Sequence, residues 1–311
     1  MKIAKLKLKG HREKHTVPYF VLDDLCHFHY YSRISFYSCV DKQMIFDEYM
    51  AIAAKKGDIS FDESWGQGRS VFGGLTAAVV LKRIESESHQ LDRNLRSVHV
   101  NFCGPVNIDA PCSIQVSILS NSRSVIQIQG ALIQDGETKT HLIACFANGR
   151  PSGVSVTPPH KSFDSVESEL AAIPFLPGVT PNMVQHLNLR PDNGIMPFSG
   201  SDRAEVSGWM SFKDTLKTFD DCALLALIDG WPPAVLPLLK RPAPASTITW
   251  NIEFIQPREI QENPTLYYDC HVRQGEEGYS HTIADIYNED GALIAMSRQL
   301  VGVYDQRSQS A

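Results

Sequence analysis

The stretch DDCALLALIDGWPPAVLPLLK (Asp220–Lys240) decides how this chain folds. Six consecutive apolar residues precede Asp229, so every face of the predicted helix is apolar and the helix belongs inside the protein. Pro232 cannot donate a hydrogen bond to the carbonyl of Ile228, and its ring crowds that carbonyl. We therefore predict a buried helix that kinks or breaks at Asp229.

A carboxylate in such an apolar segment has to be stabilised by its surroundings. Burial of an unpaired charge is costly, so Asp229 needs hydrogen-bond partners, a shifted pKa or access to a cavity. A structural alternative is that Asp229 caps a second helix that begins after the prolines. Both roles stay open at this point, and the rest of the chain has to supply the partners.

The composition is that of an ordinary globular protein. The chain has 311 residues, of which 43% are hydrophobic and 21% are charged. The formal net charge of −6 argues against nucleic acid or an anionic membrane as a partner, and no apolar run approaches the roughly 20 residues that span a bilayer. The seven cysteines are irregularly spaced without a CxxC pair, so we expect reduced thiols, a cytoplasmic location, no metal site and no cofactor.

The chain contains two similar halves. VHVNFCGP (Val98–Pro105) aligns with WNIEFIQP (Trp250–Pro257), and an Asp-Gly turn follows at Asp135 and again at Asp290. The offset is nearly constant, at 152 to 155 positions, which indicates a tandem duplication rather than an array of short repeats. In each half an apolar helix precedes a run of strands, and in the first half this helix is Leu75–Ile84.

A sheet that curls around one central helix satisfies this pattern, because the helix is then buried on nearly all sides. We therefore predict an α+β fold, a tandem (double) hot-dog in which each half is an antiparallel sheet wrapped around a central helix. Two further helices are predicted at Phe46–Lys56 and Ser165–Ile173. The predicted strands are Leu95–Cys103, Cys112–Leu119, Ser124–Gln134 and Thr140–Ala147, then His186–Leu189, Ala204–Phe212, Thr247–Ile255, Thr265–Arg273, Tyr279–Tyr287 and Ala292–Val303.

Five segments follow from this organisation. A good helix pattern begins just after Met44, which would be a natural start, so we expect the residues before it to lie outside the fold. The segments are an N-terminal extension (1–43), a first hot-dog (44–150), a linker rich in Pro, Ser and Gly (151–164), a second hot-dog that carries the active site (165–305) and a tail (306–311).

The glycine-rich segment WGQGRSVFGG (Trp65–Gly74) leads into the first-half helix. It has neither the Lys-Ser/Thr of a P-loop nor the spacing of a GxGxxG motif, which argues against a nucleotide site. Its glycines are typical of a helix start where another backbone packs closely.

Four motifs together resemble the acyl-CoA thioesterase II-like family of double hot-dog proteins. They are WGQGRSVFGG, LIDGWPP (Leu227–Pro233), STITWNIEFIQP (Ser246–Pro257) and ALIAMSRQLVGVY (Ala292–Tyr304), and the resemblance covers about residues 46–304. Members of that family hydrolyse fatty acyl-CoA thioesters. They use an aspartate on the second hot-dog helix, with a threonine and a glutamine on second-half strands that hold a water.

The resemblance implies three catalytic residues in this sequence. The aspartate falls on Asp229, the glutamine on Gln299 and the threonine on Thr247. The family often has Thr-hydrophobic-Asp at the last position, whereas this chain has Thr-Ile-Thr. Thr247 and Thr249 are two residues apart and so are expected to face the same side of a strand, which leaves either hydroxyl open. Strand propensity alone would also explain a threonine here, and Gln299 would otherwise be an exposed strand residue.

The residue types suit thioester hydrolysis. Asp229 can accept a proton from the water while Thr247 and Gln299 orient it, and burial would raise the pKa of Asp229 and make it a better base. Backbone N–H groups at the helix break or at the two glycines before Leu75 would bind the oxyanion. The expected substrate contacts are Gly73, Gly74, Arg69, Trp231 and Thr249. A solvated loop is the alternative environment for Arg69.

Other functions remain possible within this fold. The first-half helix has no acid before Glu85, so we predict one active site per chain, for an acyl-CoA substrate and a role in fatty acid metabolism. A non-catalytic acyl-CoA binding protein is one alternative. An acyl-thioester hydratase or dehydratase is another, but no histidine lies in Asp220–Lys240 to pair with the acid. We also expect a homodimer through pairing of sheet edges, while acyl chain length and the choice between CoA and carrier-protein thioesters stay open.

Overall fold

The computed structural model describes residues 43–88, 93–163, 167–258 and 260–305. The predicted N-terminal extension, apart from Gln43, and the predicted tail lie outside the described residues. Near the start of the described part, the Met44 N–H donates to the Asp62 carboxylate at 2.9 Å and the Met44 carbonyl accepts from the Trp65 indole at 2.8 Å. The chain is therefore anchored to the fold from Met44 onward.

The helices within the described residues are short and mostly apolar. They are α1 (Phe46–Ala53), α2 (Gly73–Glu87) and α3 (Asp221–Ile228), with 3-10 turns at Glu63–Trp65, Glu167–Glu169, Asn182–His186 and Leu236–Leu238. The predicted helix Ser165–Ile173 is wrong over its described residues, because the backbone N–H of Ile173 donates to Leu189 at the sheet edge instead. No helix in these parts of the chain is long and apolar enough to cross a membrane.

The strands agree with the predicted ones to within three residues at each end. They are β1 (Gly66–Gln67), β2 (Ser70–Val71), β3 (Asn94–Phe102), β4 (Ser113–Asn121), β5 (Val125–Gln134), β6 (Glu137–Ala147), β7 (Leu187–Pro191), β8 (Glu205–Phe212), β9 (Ala245–Phe254), β10 (Leu266–Glu276), β11 (Tyr279–Tyr287) and β12 (Leu293–Val303). The β1–β2 hairpin was not predicted. Asp135 and Gly136 both have positive φ, at 55° and 79°, as the predicted Asp-Gly hairpin turn requires.

Among the described residues, one antiparallel sheet of ten strands runs through both halves, in the order β4-β5-β6-β3-β9-β12-β11-β10-β8-β7. The first half contributes β3 to β6 and the second half contributes β7 to β12. The halves meet where β3 pairs with β9, with Val98 opposite Ile252 and Val100 opposite Trp250. The tandem arrangement is thus confirmed, and the two predicted sheets join edge to edge.

Helices α2 and α3 lie side by side under this sheet and run antiparallel. The start of α2 approaches the end of α3, since a Cβ on Gly74 would be 2.6 Å from the Ala226 carbonyl oxygen. Further along α2, Lys82 forms an ion pair with Asp220 at the start of α3. Val80 of α2 packs directly against Gly130 of β5. A Cβ added at Gly130 would be only 2.6 Å from Val80 Cγ1, so a larger residue would not fit there. The helix pair therefore forms the centre of a core shared by both halves.

Helix α3 ends where the sequence predicts. Its last residue is Ile228, and Asp229 is the C-cap with φ −78° and ψ −4°. The two prolines that follow allow no continuation, and the next helical element is the 3-10 turn at Leu236–Leu238. Asp229 therefore does not cap a helix after the prolines, and its carboxylate is stabilised by other groups.

Candidate active site

The carboxylate of Asp229 lies at the end of α3 and is partly exposed. The seven residues before it, Cys222 to Ile228, are all buried. Burial raises the pKa of Asp229 to about 7, while a backbone hydrogen bond from Gly74 and a side-chain hydrogen bond from Gln299 act in the opposite direction. A carboxyl group with a pKa near neutrality can both accept and return a proton, as general acid–base catalysis requires.

The start of α2 approaches Asp229 because two glycines stand there. A Cβ on Gly73 would be 2.9 Å from Asp229 Oδ2 and 3.1 Å from the ring of Phe102. A Cβ on Gly74 would be 2.5 Å from the ring of Phe72. The helix N-terminus carries a partial positive charge and free N–H groups, which stabilise the ionised carboxylate. The first half therefore contributes directly to the surroundings of Asp229.

Gln299 and Thr247 form a hydrogen-bonded chain with Asp229. Gln299 Nε2 donates to Asp229 Oδ1 at 3.3 Å, and Thr247 Oγ1 donates to Gln299 Oε1 at 3.2 Å. Both residues are half-buried and lie on the adjacent strands β12 and β9. The structure therefore brings the three residues together, with the amide of Gln299 oriented by the hydroxyl of Thr247.

The expectation that Thr247 and Thr249 face the same side of β9 is wrong. Leu300 of β12 pairs with Thr249 and Val301 pairs with Thr247, so Ile248 is the extra residue of a β-bulge. The bulge reverses the alternation, and Thr249 is exposed on the outer face of the sheet. Its hydroxyl is not brought to Asp229.

Two aromatic residues, Trp231 and Tyr268, pack against each other close to Asp229. Trp231 is 5% exposed and stacks on Tyr268 with ring centroids 6.0 Å apart. The indole N–H of Trp231 has no hydrogen-bond partner among the described residues. The charge of Asp229 contributes to the raised pKa of Tyr268, after burial and the neighbouring Cys270.

Two contributions to the surroundings of Asp229 were not predicted from the sequence. The first is the ring of Phe102, which closes the site beside Gly73; the signal available was its alignment with Phe254 in the duplication. The second is the hydrogen bond from Gly74, whose backbone had been assigned to the oxyanion.

Arg69 stands in the turn between β1 and β2, after Gly68, which has a φ of 67°. It is exposed and forms no ion pair with the described residues. An exposed cation at this position of the glycine-rich segment is compatible with either alternative that the sequence left open.

The opposite end of the helix pair carries a cluster of ionisable side chains. Glu85, Asp220 and Cys222 place one ligand atom each within 4.8 Å of one another. Lys82 lies against them, 2.9 Å from Asp220 and 3.5 Å from Glu85. The lysine ammonium supplies the positive charge that these acids need, so the cluster is accounted for as an ion-pair network.

Two family models match the chain. The C-terminal domain of acyl-CoA thioesterases matches residues 167–303, and the N-terminal domain of acyl-CoA thioesterases matches residues 61–147. Together they span most of both halves of the sheet. The comparison with curated proteins found no match.

Solved structures share the fold. A hot-dog protein of unknown function from Alicyclobacillus acidocaldarius is 24% identical with a TM-score of 0.71, and the match covers 83% of this chain and 98% of that one. An acyl-CoA thioesterase II from Mycobacterium marinum is 16% identical with a TM-score of 0.64, covering 84% and 99%. A tesB protein from Mycobacterium avium subspecies paratuberculosis is 14% identical with a TM-score of 0.62, covering 83% and 99%. These similarities show a tandem hot-dog fold.

Proposed function

Because the chain belongs to the acyl-CoA thioesterase family, we propose that it hydrolyses acyl-CoA to free acid and CoA with Asp229 as the general base. The observation that carries the proposal is the chain Asp229–Gln299–Thr247, in which a carboxylate with a pKa of about 7 is hydrogen-bonded to an oriented amide. The remaining acceptor capacity of the carboxylate is available to a water.

The reaction requires no nucleophilic side chain. Asp229 takes a proton from the water as its oxygen adds to the thioester carbonyl, which forms a tetrahedral oxyanion. The oxyanion collapses, the carbon–sulfur bond breaks, and the proton on Asp229 passes to the departing CoA thiolate. Gln299 and Thr247 fix the direction from which the water attacks.

Donors for the oxyanion come from the start of α2 in this proposal. The Gly74 N–H is engaged by Asp229, whereas Gly73 is the first residue of the helix and its N–H has no intrahelical acceptor. We therefore place the oxyanion at the Gly73 N–H. Trp231 and Phe102 would line the site, and Arg69 would meet the CoA phosphates. Thr249 is not part of this proposal because it lies on the other face of the sheet.

The test is CoA release from a panel of acyl-CoAs in the presence of a thiol reagent. Asp229→Asn keeps the shape of the side chain but removes the base, so kcat/KM should fall by about 10²–10⁴. Asp202→Asn, an exposed acid without a described partner, is the matched control and should keep full activity. Equal turnover by wild type and Asp229→Asn would refute the assignment of the base.

An acyl-CoA binding protein without activity is the second candidate. It is favoured by the burial around Asp229, which a purely structural acid would share. Binding of acyl-CoA without any release of CoA by the wild type would establish it. A hydratase or dehydratase is less well supported, because no histidine among the described residues is hydrogen-bonded to the three residues of the proposed site.

A cytoplasmic location, a role in fatty acid metabolism and a homodimer also remain proposals. The homodimer is supported by the edge strand β4, where Ile118 is 58% and Leu119 is 47% exposed. An outer strand of the sheet with exposed apolar side chains favours association with a second copy. Light scattering of the purified chain would measure the oligomeric state.

A further inference from the structure

The outer face of the sheet carries a groove that the proposed reaction does not use. It has a volume of about 760 Å³ and lies across β3, β9, β12 and β11, on the side opposite to Asp229. A volume of this size is within the range of small-molecule sites. Its outward-facing side chains include His99, Asn251, Arg273, His281 and Arg298.

The lining of the groove is cationic. Arg298, Arg273, His281 and His99 are exposed, and none of them forms an ion pair with another described residue. No acid is among the lining residues. Outward acids lie one row from these cations, outside the groove: Glu253 and Asp285 are opposite Met296, one row from Arg298, and Glu276 is opposite Tyr279, one row from His281.

The sheet register brings these cations within reach of one ligand. Arg298 is directly opposite Asn251 on β9 and Ile283 on β11, and Asn251 is directly opposite His99 on β3. Direct cross-strand neighbours have Cβ atoms about 5 Å apart and diagonal neighbours about 7–8 Å apart. His281 is such a diagonal neighbour of Arg298, so both can contact one anion.

One local feature extends this cationic lining. The register of β10 shifts between Val272 and Gln274, so a bulge at Arg273 brings an additional long cation over the groove. A ligand that accepts from the guanidinium groups of Arg298 and Arg273 fits this arrangement.

We propose that this groove binds a small phosphate-bearing anion, through Arg298 and Arg273 with His281 at its rim. Guanidinium groups bind phosphate oxygens in a bidentate manner, and two arginines on different strands suit the several oxygens of a diphosphate better than the two oxygens of a single carboxylate. The source of the phosphate is either a free polyphosphate or a nucleotide, which share this chemistry. Gln299 is among the lining residues but its side chain is hydrogen-bonded to Asp229, so the groove and the proposed catalytic site share strand β12 and use opposite faces of it.

The experiment is titration calorimetry of the full chain with inorganic pyrophosphate, with ADP and with succinate. Pyrophosphate or ADP should bind with a Kd below about 1 mM, and succinate should bind at least tenfold more weakly. Binding by pyrophosphate and ADP alike identifies the phosphates as the ligand; tighter binding of ADP adds the nucleoside.

Arg298→Gln should weaken binding by at least about tenfold, because a charge-assisted hydrogen bond is lost. Arg273→Gln is a second variant on a different strand, so a folding defect in one does not decide the result. Arg123→Gln, which removes the same charge from an exposed turn, is the matched control and should bind like wild type. Asp229→Asn should also bind like wild type.

Three outcomes would overturn the proposal. They are absence of binding by both phosphate probes, equal losses in Arg298→Gln and in the control Arg123→Gln, and a loss in Arg69→Gln with none in Arg298→Gln. The last result would locate the anion on the glycine-rich segment beside the proposed catalytic site instead of on the outer face.

Discussion

At Asp229 two opposing effects meet. Desolvation by the apolar end of α3 raises the pKa of the carboxyl, and the start of α2 with the Gln299 amide keeps it from rising further. The resulting pKa of about 7 leaves a large fraction of the carboxyl ionised at neutral pH. The carboxylate is also basic enough at this pKa to take a proton from water.

The first prediction concerns the pH dependence of hydrolysis. The base must be ionised, so kcat/KM should rise with pH and level off above an apparent pKa of about 7. The residual activity of Asp229→Asn should not show this rise of kcat/KM with pH. A profile that levels off near pH 4 in the wild type would contradict the burial of the catalytic acid.

The second prediction concerns stability. The pKa of Asp229 in the folded state, about 7, exceeds its ordinary value of 3.8, so the folded protein binds more protons between these values. The contribution of this group to stability is therefore present at low pH and is lost as pH rises through 7. The melting temperature of Asp229→Asn relative to wild type should increase between pH 5 and pH 8, as measured by calorimetry. A constant difference over that range would mean that Asp229 is not desolvated.

The third prediction concerns Gly73. An added Cβ would be 2.9 Å from Asp229 Oδ2, so Gly73→Ala should displace the carboxylate and lower kcat/KM by roughly ten- to a hundredfold. Gly149→Ala adds the same methyl group where nothing lies within 4 Å and serves as control. The rate assay of both variants decides whether close packing at this glycine matters to the site.

Among the elements, β9 and β12 determine which side chains reach the acid. The bulge at Ile248 separates two threonines that the sequence places on one face, because alternation alone cannot show an inserted residue. The end of α3, by contrast, was predictable, since proline acts locally on the backbone. The strand ends were also predictable, because each is bounded by turn residues in the sequence.

The bulge provides the fourth prediction. Thr247→Val removes the hydroxyl that orients Gln299 and should lower kcat/KM by about tenfold, the size of one lost hydrogen bond. Thr249→Val makes the same chemical change on the outer face and should leave the rate unchanged. Loss of activity in Thr249→Val with retention in Thr247→Val would reverse the assignment.

Over the whole molecule, the sequence reveals the duplication but not how the halves join. The pairing of β3 with β9 and the approach of α2 to Asp229 connect residues far apart in the chain, and no local pattern encodes such contacts. For this reason the Gly74 N–H could be named as a donor but not matched with its acceptor. Asp229 stands out in the sequence itself, Thr247 and Gln299 came from the resemblance, and the meeting point of the three came from the fold.

The fifth prediction is a binding stoichiometry of one. The two ends of the antiparallel pair α2 and α3 differ, with Asp229 at one end and the ion pair of Lys82 with Asp220 at the other. A non-hydrolysable acyl-CoA analogue should therefore bind once per chain in calorimetry. Two equivalent sites per chain would show that the first half also holds a complete site.

The joining of two related units in one chain also affects how this protein can evolve. In a symmetric pair of identical subunits, every substitution appears at both ends of the helix pair. Here the two ends are encoded by separate codons, so a change that removes an acid from one end leaves the other intact. The end without Asp229 carries Lys82, whose ion pair with Asp220 links the two helices. Selection for activity and selection for stability can therefore act on different ends of the helix pair.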